Sequence, residues 1–282
     1  MHLLITGAGG MLGGAVAAAA AALGHRVTAL ARADLDVTDA ERVEHAVEGL
    51  TPDAIVHCAA WTDVDGAEAR EAEAFAVNAD GAGNVARAAA ASGARVVHVS
   101  TDYVFDGSKR TPWLESDPTA PLSAYGRTKL AGEEQVAAAT PEHAIVRAAW
   151  LFGAGGPNFV DTILRLGEER DEVDVVTDQV GHPTWTGHLA GALVELAERR
   201  GDVGVFHAAG DGSCSWNELA LEAFDRARVR CRVRPTTSDR FRRPAPRPAY
   251  SVLGTERVPA VLLPPWQDGL AAYIDERAVV AR

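Results

Sequence analysis

The sequence predicts an α/β fold, a doubly wound parallel sheet with a smaller mixed α/β C-terminal region, on three observations. A short apolar run, Leu3-Leu4-Ile5-Thr6, passes straight into a glycine-rich turn, Gly7 to Gly13. Similar short runs recur between helical stretches as far as Arg147. Strands and helices alternating at that spacing require right-handed crossovers and a parallel sheet. The length of 282 residues suits one large domain, or one dominant domain with a smaller partner. We expect a dinucleotide-binding unit over 1–150 and a mainly substrate-binding region over 151–282, some of it packing back on the first.

The first strand covers Leu3–Thr6, and the alanine-rich stretch Ala15–Leu23 reads as the first helix. Glycines at 7, 10 and 13 give G-x-x-G-x-x-G, with Leu12 where the commoner dinucleotide fingerprint has its last glycine. A bare backbone opening onto a helix N-terminus seats phosphate, because the unpaired N–H groups and the dipole favour negative charge. Glycines also close ordinary strand–helix turns; the position at the start of a βαβ unit favours the dinucleotide.

Arg26–Leu30 reads as the second strand, ending at Ala31-Arg32. Thr38 or Asp39 can cap a helix over Ala40–Gly49. The third strand is Ala54–Cys58, running into Ala59-Ala60-Trp61-Thr62, and a long alanine-rich helix is expected over about Glu68–Ala91. The fourth strand, Arg95–Val99, ends in Ser100-Thr101-Asp102. After an irregular stretch from Tyr103 to Pro121 come a helix over Ser123–Ala139 and a fifth strand, His143–Arg147. Beyond Trp150, short strands near Val173–Val176 and Val203–His207 alternate with helices near Asp161–Glu169, Gly187–Arg199 and Trp216–Arg226.

Composition narrows the function. A net charge of −12 argues against nucleic acid or an anionic membrane as the main partner. Three well-separated cysteines, Cys58, Cys214 and Cys231, read as reduced thiols of a cytoplasmic protein. A strand beginning at residue 2 or 3 leaves no room for a signal peptide, and no apolar run could span a bilayer.

Of the 27 basic residues only Lys109 and Lys129 are lysine. Lys129 lies four residues after Tyr125, so the two share a helix face. An ammonium beside a phenol favours phenolate, which would lower the tyrosine pKa toward neutrality and make it a usable acid or base. Lysine can also donate to ribose hydroxyls, where a guanidinium fork fits badly. An inconsequential surface pair is the bland alternative. Ser100-Thr101-Asp102 weighs against it, since it sits on the carboxyl edge of the sheet where such folds bind ligands.

Taken together, the chain resembles the extended short-chain dehydrogenase/reductases, and more narrowly the dTDP-4-dehydrorhamnose reductase family. The resemblance is carried by Gly7–Gly13, Leu35–Asp39, Ala59–Glu68 and Ser100–Gly107. It continues through Pro121–Lys129, Arg147–Trp150, Asp178–Thr184 and Arg247-Pro248. The S-T-D-Y-V-F-D-G and D-Q-x-G-x-P-T blocks are the most specific.

The resemblance implies Thr101, Tyr125 and Lys129 as the catalytic set, with Tyr125 and Lys129 also touching the cofactor. It places Gly7, Gly10, Met11, Leu12 and Gly13 at the pyrophosphate and Asp36 and Val37 against the adenine. Ala59, Ala60 and Trp61 would line the cofactor after the third strand. Asp102, Tyr103 and Trp150 would join Thr101 and Tyr125 at the sugar, with Asn158 and Arg247 nearer the nucleotide diphosphate. The implied reaction is hydride transfer from NAD(P)H to the C4 ketone of a dTDP-sugar, and a homodimer is compatible with it. Trp61 and Ala149 depart from the family's usual residues, which leaves the particular hexulose open.

The second strand lacks an acidic residue for a ribose 2′-hydroxyl, and Arg32 could instead meet a 2′-phosphate. NADPH is therefore favoured, with NADH an alternative. Nine arginines fall within Arg226–Arg247, and Arg228, Arg230, Arg232 and Arg234 alternate with apolar residues. A solvated strand face explains them better than a diphosphate-binding one. His57, His98 and His182 lack ligand spacing, and no catalytic metal is expected. Two rival readings stay open: a sibling deoxysugar reductase, and a regulatory subunit that binds dinucleotide without turnover.

Overall fold

The computed structural model describes residues 1–280. The N-terminal half runs β1 (His2–Thr6), α1 (Met11–Ala22), β2 (Arg26–Leu30), α2 (Ala40–Leu50), β3 (Ala54–His57), α3 (Val64–Ala69), α4 (Glu71–Phe75) and α5 (Gly81–Ser92). It continues with β4 (Arg95–Thr101), α6 (Ala124–Ala139) and β5 (His143–Ala148). The remainder is β6 (Leu151–Phe152), α7 (Phe159–Glu169), β7 (Glu172–Val176), β8 (Val180–Gly181), β9 (Thr184–Trp185) and α8 (Thr186–Glu198). It closes with β10 (Gly204–His207), β11 (Cys214–Ser215), α9 (Trp216–Ala227), β12 (Arg232–Thr236) and α10 (Trp266–Val280).

Six strands form one parallel sheet in the order β10-β5-β4-β3-β1-β2. The chain moves outward from β1 to β2 and then returns to β3 on the other side of β1. That reversal opens a crevice beyond the carboxyl ends of β1 and β3, the place where open α/β sheets take ligands. Alternation along β1 builds both helical layers. Leu3 and Ile5 pack with α1 and α8, whereas Leu4 packs with α2 and α5. The segment 186–207 thus joins the sheet as a helix layer and its outermost strand. A separate core, built from α7, β7, α9 and α10 around Phe152, Leu219, Phe224 and Tyr273, holds the rest of the C-terminal part.

The helix expected over Glu68–Ala91 is broken. Arg70 leaves helical geometry at φ −134°, and residues Ala76–Asp80 form a π-helical turn. That turn directs Asn78 inward, where its amide accepts from Trp61 N at 2.8 Å and donates to Trp61 O at 3.2 Å and Thr128 Oγ1 at 3.0 Å. Unbroken helical periodicity would not present this side chain both to the β3 loop and to α6.

The arginine-rich strand is shorter than its alternation suggests, because Arg228 ends α9 at φ +56° and pairing starts only at Arg232. Its arginines are exposed; Arg234 bonds Asp174, and Arg232 and Arg234 pair with Glu172 of β7. That is a solvated, charge-paired face.

Candidate active site

The glycine turn follows β1 into α1. Gly7 has φ +70°, and a Cβ there would lie 2.5 Å from Ala59 N; a Cβ on Gly13 would lie 2.3 Å from Gly7 O. These two glycines let strand, turn and the β3 loop close on one another. Gly10 is the N-cap of α1 and carries no side chain to bond the first-turn N–H groups of Met11, Leu12 and Gly13. An uncapped helix N-terminus at the crevice fits a pyrophosphate, so the turn suits a dinucleotide. Met11 is half-buried, Leu12 packs into the core, and Gly156 approaches Met11 from the loop after β6.

Arg32 is exposed just past β2. Asp36 accepts from Thr38 N and Thr38 Oγ1 at 3.0 and 2.8 Å, which holds its carboxyl below the ordinary range. Val37 is buried against Gly81, where an added Cβ would clash at 2.7 Å. Ala59, Ala60 and Trp61, just past β3, are half-buried, with the Arg70 guanidinium 4.4 Å above the Trp61 ring.

β4 and α6 bring the chemistry together. The Thr101 hydroxyl donates to Asp102 Oδ1 at 3.0 Å, and Tyr103 N donates to Thr101 Oγ1 at 3.2 Å. The rings of Tyr103 and Tyr125 meet edge-on with centroids 5.6 Å apart. Burial pushes the Tyr125 phenol up to about 12, partly offset by a hydrogen bond with Thr101. The expectation that Lys129 pulls this phenol toward neutrality is therefore corrected: burial sets the direction of the shift, and the Lys129 ammonium is engaged elsewhere, on Val99 O. Lys129 is itself 2% exposed, donates to Val99 O at 2.7 Å, and is drawn down to about 8 by burial. Its Nζ lies 3.5 Å from His98 Nε2, and His98 stacks on His57 with centroids 5.2 Å apart. Burial and Lys129 hold both imidazoles well below the usual histidine range, so the pair is neutral. Asp102 is 2% exposed; burial raises it to about 6, and its Oδ2 has no hydrogen-bond partner.

Farther out, Trp150 follows β5 at φ +48°, a strained conformation for a bulky residue. Its ring stacks on Trp216 at 3.6 Å, with Gly181 beneath, where a Cβ would sit 2.5 Å from the indole. Trp216 Nε1 in turn donates to Gln179 Oε1. The Asp178–Thr184 block thus clamps one tryptophan face. Asn158 is employed in the fold: it caps α7 through Asp161 N and donates to Gly153 O at 3.0 Å. Arg247 pairs with Asp65, at 2.7 and 2.8 Å, and lies beside Tyr103.

Sequence reasoning assigned no role to Asp65, Asn78, Gln179 or Trp216. Asp65 lay within the Ala59–Glu68 block and Gln179 within Asp178–Thr184, which was the available signal. Asn78 and Trp216 had none.

A doubly wound sheet with a glycine turn onto an uncapped helix N-terminus at its switch point, and with Thr101, Tyr125 and Lys129 on β4 and α6, is the architecture of an NAD(P)H-dependent oxidoreductase. The RmlD substrate binding domain family matches residues 1–279. The dTDP-4-dehydrorhamnose reductase of Mycolicibacterium smegmatis is 46% identical, the match covering 99% of this chain and 86% of that protein. A dTDP-4-keto-6-deoxy-D-glucose reductase of Streptomyces niveus is 47% identical over 89% of this chain and 88% of its own. The crystal structure of the Bacillus anthracis dTDP-4-dehydrorhamnose reductase in complex with NADP superposes with a TM-score of 0.94 at 37% identity, covering 98% of this chain and 99% of that one. The chain belongs to the dTDP-4-dehydrorhamnose reductase family.

Proposed function

We propose that this protein reduces the C4 ketone of dTDP-4-dehydro-L-rhamnose to dTDP-L-rhamnose, with NADPH as its preferred reductant. The observation that carries the reading is the clustering of Thr101, Tyr103 and Tyr125 at the carboxyl edge of β4, in a sheet whose first strand opens onto the uncapped N-terminus of α1. Tyr103 N donates to Thr101 Oγ1, and its ring meets Tyr125 edge-on. The bound dinucleotide supplies the hydride. Tyr125, protonated throughout the neutral range, gives its proton to the C4 oxygen as negative charge develops there. Thr101 orients the phenol, and its single proton, given to Asp102 in the free protein, turns to the carbonyl oxygen of the substrate to help polarise it. Lys129 holds a positive charge at the base of the site and donates to the ribose hydroxyls. The α1 N-terminus and the turn Gly7–Gly13 hold the pyrophosphate, while Val37 and Ala59 to Trp61 flank the dinucleotide. Arg32, exposed and in no ion pair among the described residues, meets a 2′-phosphate. Trp150 forms a wall for the sugar beside Asp102 and Tyr103, and Arg247 takes the diphosphate.

The sibling reading, reduction of another dTDP-4-keto-6-deoxy sugar, is favoured by the equally close Streptomyces niveus relative. The departures at Trp61 and Ala149 also favour it. NAD(P)H absorbance with dTDP-4-keto-6-deoxyglucose, with and without a 3,5-epimerase, separates the two. Oxidation only with the epimerase supports the rhamnose assignment, and oxidation without it supports the sibling. No oxidation despite tight dinucleotide binding would leave the regulatory-subunit reading standing.

A further inference from the structure

Asp65, on the first turn of α3, has no part in the chemistry assigned so far, yet it gathers a segment 180 residues distant. We infer that Asp65 is the positioning residue for Arg247, fixing the guanidinium so that one free edge faces the diphosphate of the nucleotide sugar. The inference rests on the proposed function for the role of Arg247 itself.

The donor inventory of Arg247 carries the argument. Nη1 donates to Asp65 Oδ1 at 2.7 Å and to Ala245 O at 2.7 Å, and Nη2 donates to Asp65 Oδ2 at 2.8 Å. Asp65 therefore occupies the end of the fork. A guanidinium has five N–H groups in a fixed plane, so the Nε–H and the second Nη2–H remain, side by side. The Tyr103 hydroxyl hydrogen-bonds the same guanidinium, and a pair of phosphate oxygens that takes the two donors bidentately displaces it. Asp65 also accepts from Ala245 N at 3.1 Å and lies 3.6 Å from Arg243 Nη1, so it staples the backbone that carries the arginine. A long side chain held before the ligand arrives has already lost its rotamer freedom, and binding gains accordingly. Because Tyr103 meets the Tyr125 ring edge-on, the staple also connects the nucleotide end of the site to the proton donor.

The test compares Asp65→Asn, Arg247→Met, Arg247→Lys and the double variant Asp65→Asn/Arg247→Met in the full chain. The readouts are the Kd of dTDP, KM and kcat for the keto-sugar, and the Kd of NADPH. Asp65→Asn is expected to weaken dTDP about tenfold, the scale of a charge-assisted hydrogen bond. It should raise KM similarly while leaving kcat and the NADPH Kd within about twofold. Arg247→Lys, which keeps the charge but cannot fork, should lose as much. The double variant should be no worse than Arg247→Met alone. Wild-type dTDP affinity in Asp65→Asn beside a loss in Arg247→Met would overturn the inference and leave the proposed function standing. Full additivity in the double variant, or a loss of NADPH affinity in Asp65→Asn, would also overturn it. Unchanged dTDP affinity in both single variants would remove Arg247 from the proposed site instead.

Discussion

Lys129 Nζ lies 2.7 Å from the carbonyl oxygen of Val99, a strand carbonyl that fixes the ammonium beneath the site before any ligand arrives. Burial then divides the two members of the Tyr125–Lys129 pair. It lowers the lysine to about 8 and raises the phenol to about 12, because in each case it disfavours the charged form. Within the ordinary working range the lysine changes charge and the tyrosine does not.

A pH profile follows from this. Since kcat/KM reports groups of the free enzyme, its alkaline limb should fall near pH 8, where Lys129 loses its proton. Lys129→Met should give a low, nearly flat profile across pH 7 to 10. An alkaline limb that persists unchanged in that variant would assign it to another group.

Removing the phenolic hydroxyl tests the proposed proton donation by Tyr125. Tyr125→Phe keeps the ring packed against Tyr103 and should lower kcat by about 100-fold or more, the usual worth of a positioned acid. The NADPH Kd, followed by fluorescence, should stay within about threefold, because Lys129 and the α1 turn remain. Loss of cofactor affinity in step with kcat would move Tyr125 from proton donor to cofactor ligand.

The sheet was legible because short β-branched runs ending in glycine or polar residues leave little choice of element. The β2 expectation, Arg26–Leu30, matches the strand residue for residue. The cap of α2 was narrowed to two residues, and Asp39 takes it by accepting from Arg42 N. An alanine-rich run, by contrast, has the same periodicity whether or not it contains a π-helical turn, so the break at Ala76–Asp80 left no trace. The Tyr125–Lys129 spacing gave the shared helix face, but the direction of the phenol's shift depends on burial by β4 and Tyr103, which spacing cannot report. Asp65 and Arg247 meet across 182 positions, and neither carries a local signal for the other.

Asp102 makes a stability prediction. Its carboxyl is ordinarily near 3.8, and folding raises it to about 6 through burial. The folded state therefore binds the proton more tightly than the unfolded chain. The associated stability is full below about pH 4 and is lost as pH rises through 6. Asp102→Asn cannot titrate, so unfolding free energies from urea melts at pH 4.5 and 7 should show the wild type losing more stability than the variant over that interval. Equal pH slopes in the two proteins would mean that the folded carboxyl titrates normally.

Two neighbouring glycines should respond in opposite directions to the same substitution. A Cβ on Gly13 would lie 2.3 Å from Gly7 O and 2.9 Å from Ala8 Cα, both backbone atoms of the turn, so room can come only by moving β1 or α1. Gly13→Ala should destabilise by about 1–3 kcal/mol and weaken NADPH binding, because the shift spreads the cradle. A Cβ on exposed Gly14 meets only Ala8 O, at an ordinary 3.5 Å, and Gly14→Ala replaces a poor helix residue with the best one. That variant should gain about 0.5–1 kcal/mol and bind NADPH as the wild type does. Urea melts and a fluorescence titration on the two variants check both signs together. A stable, tightly binding Gly13→Ala protein would show that the turn does not need the close backbone approach.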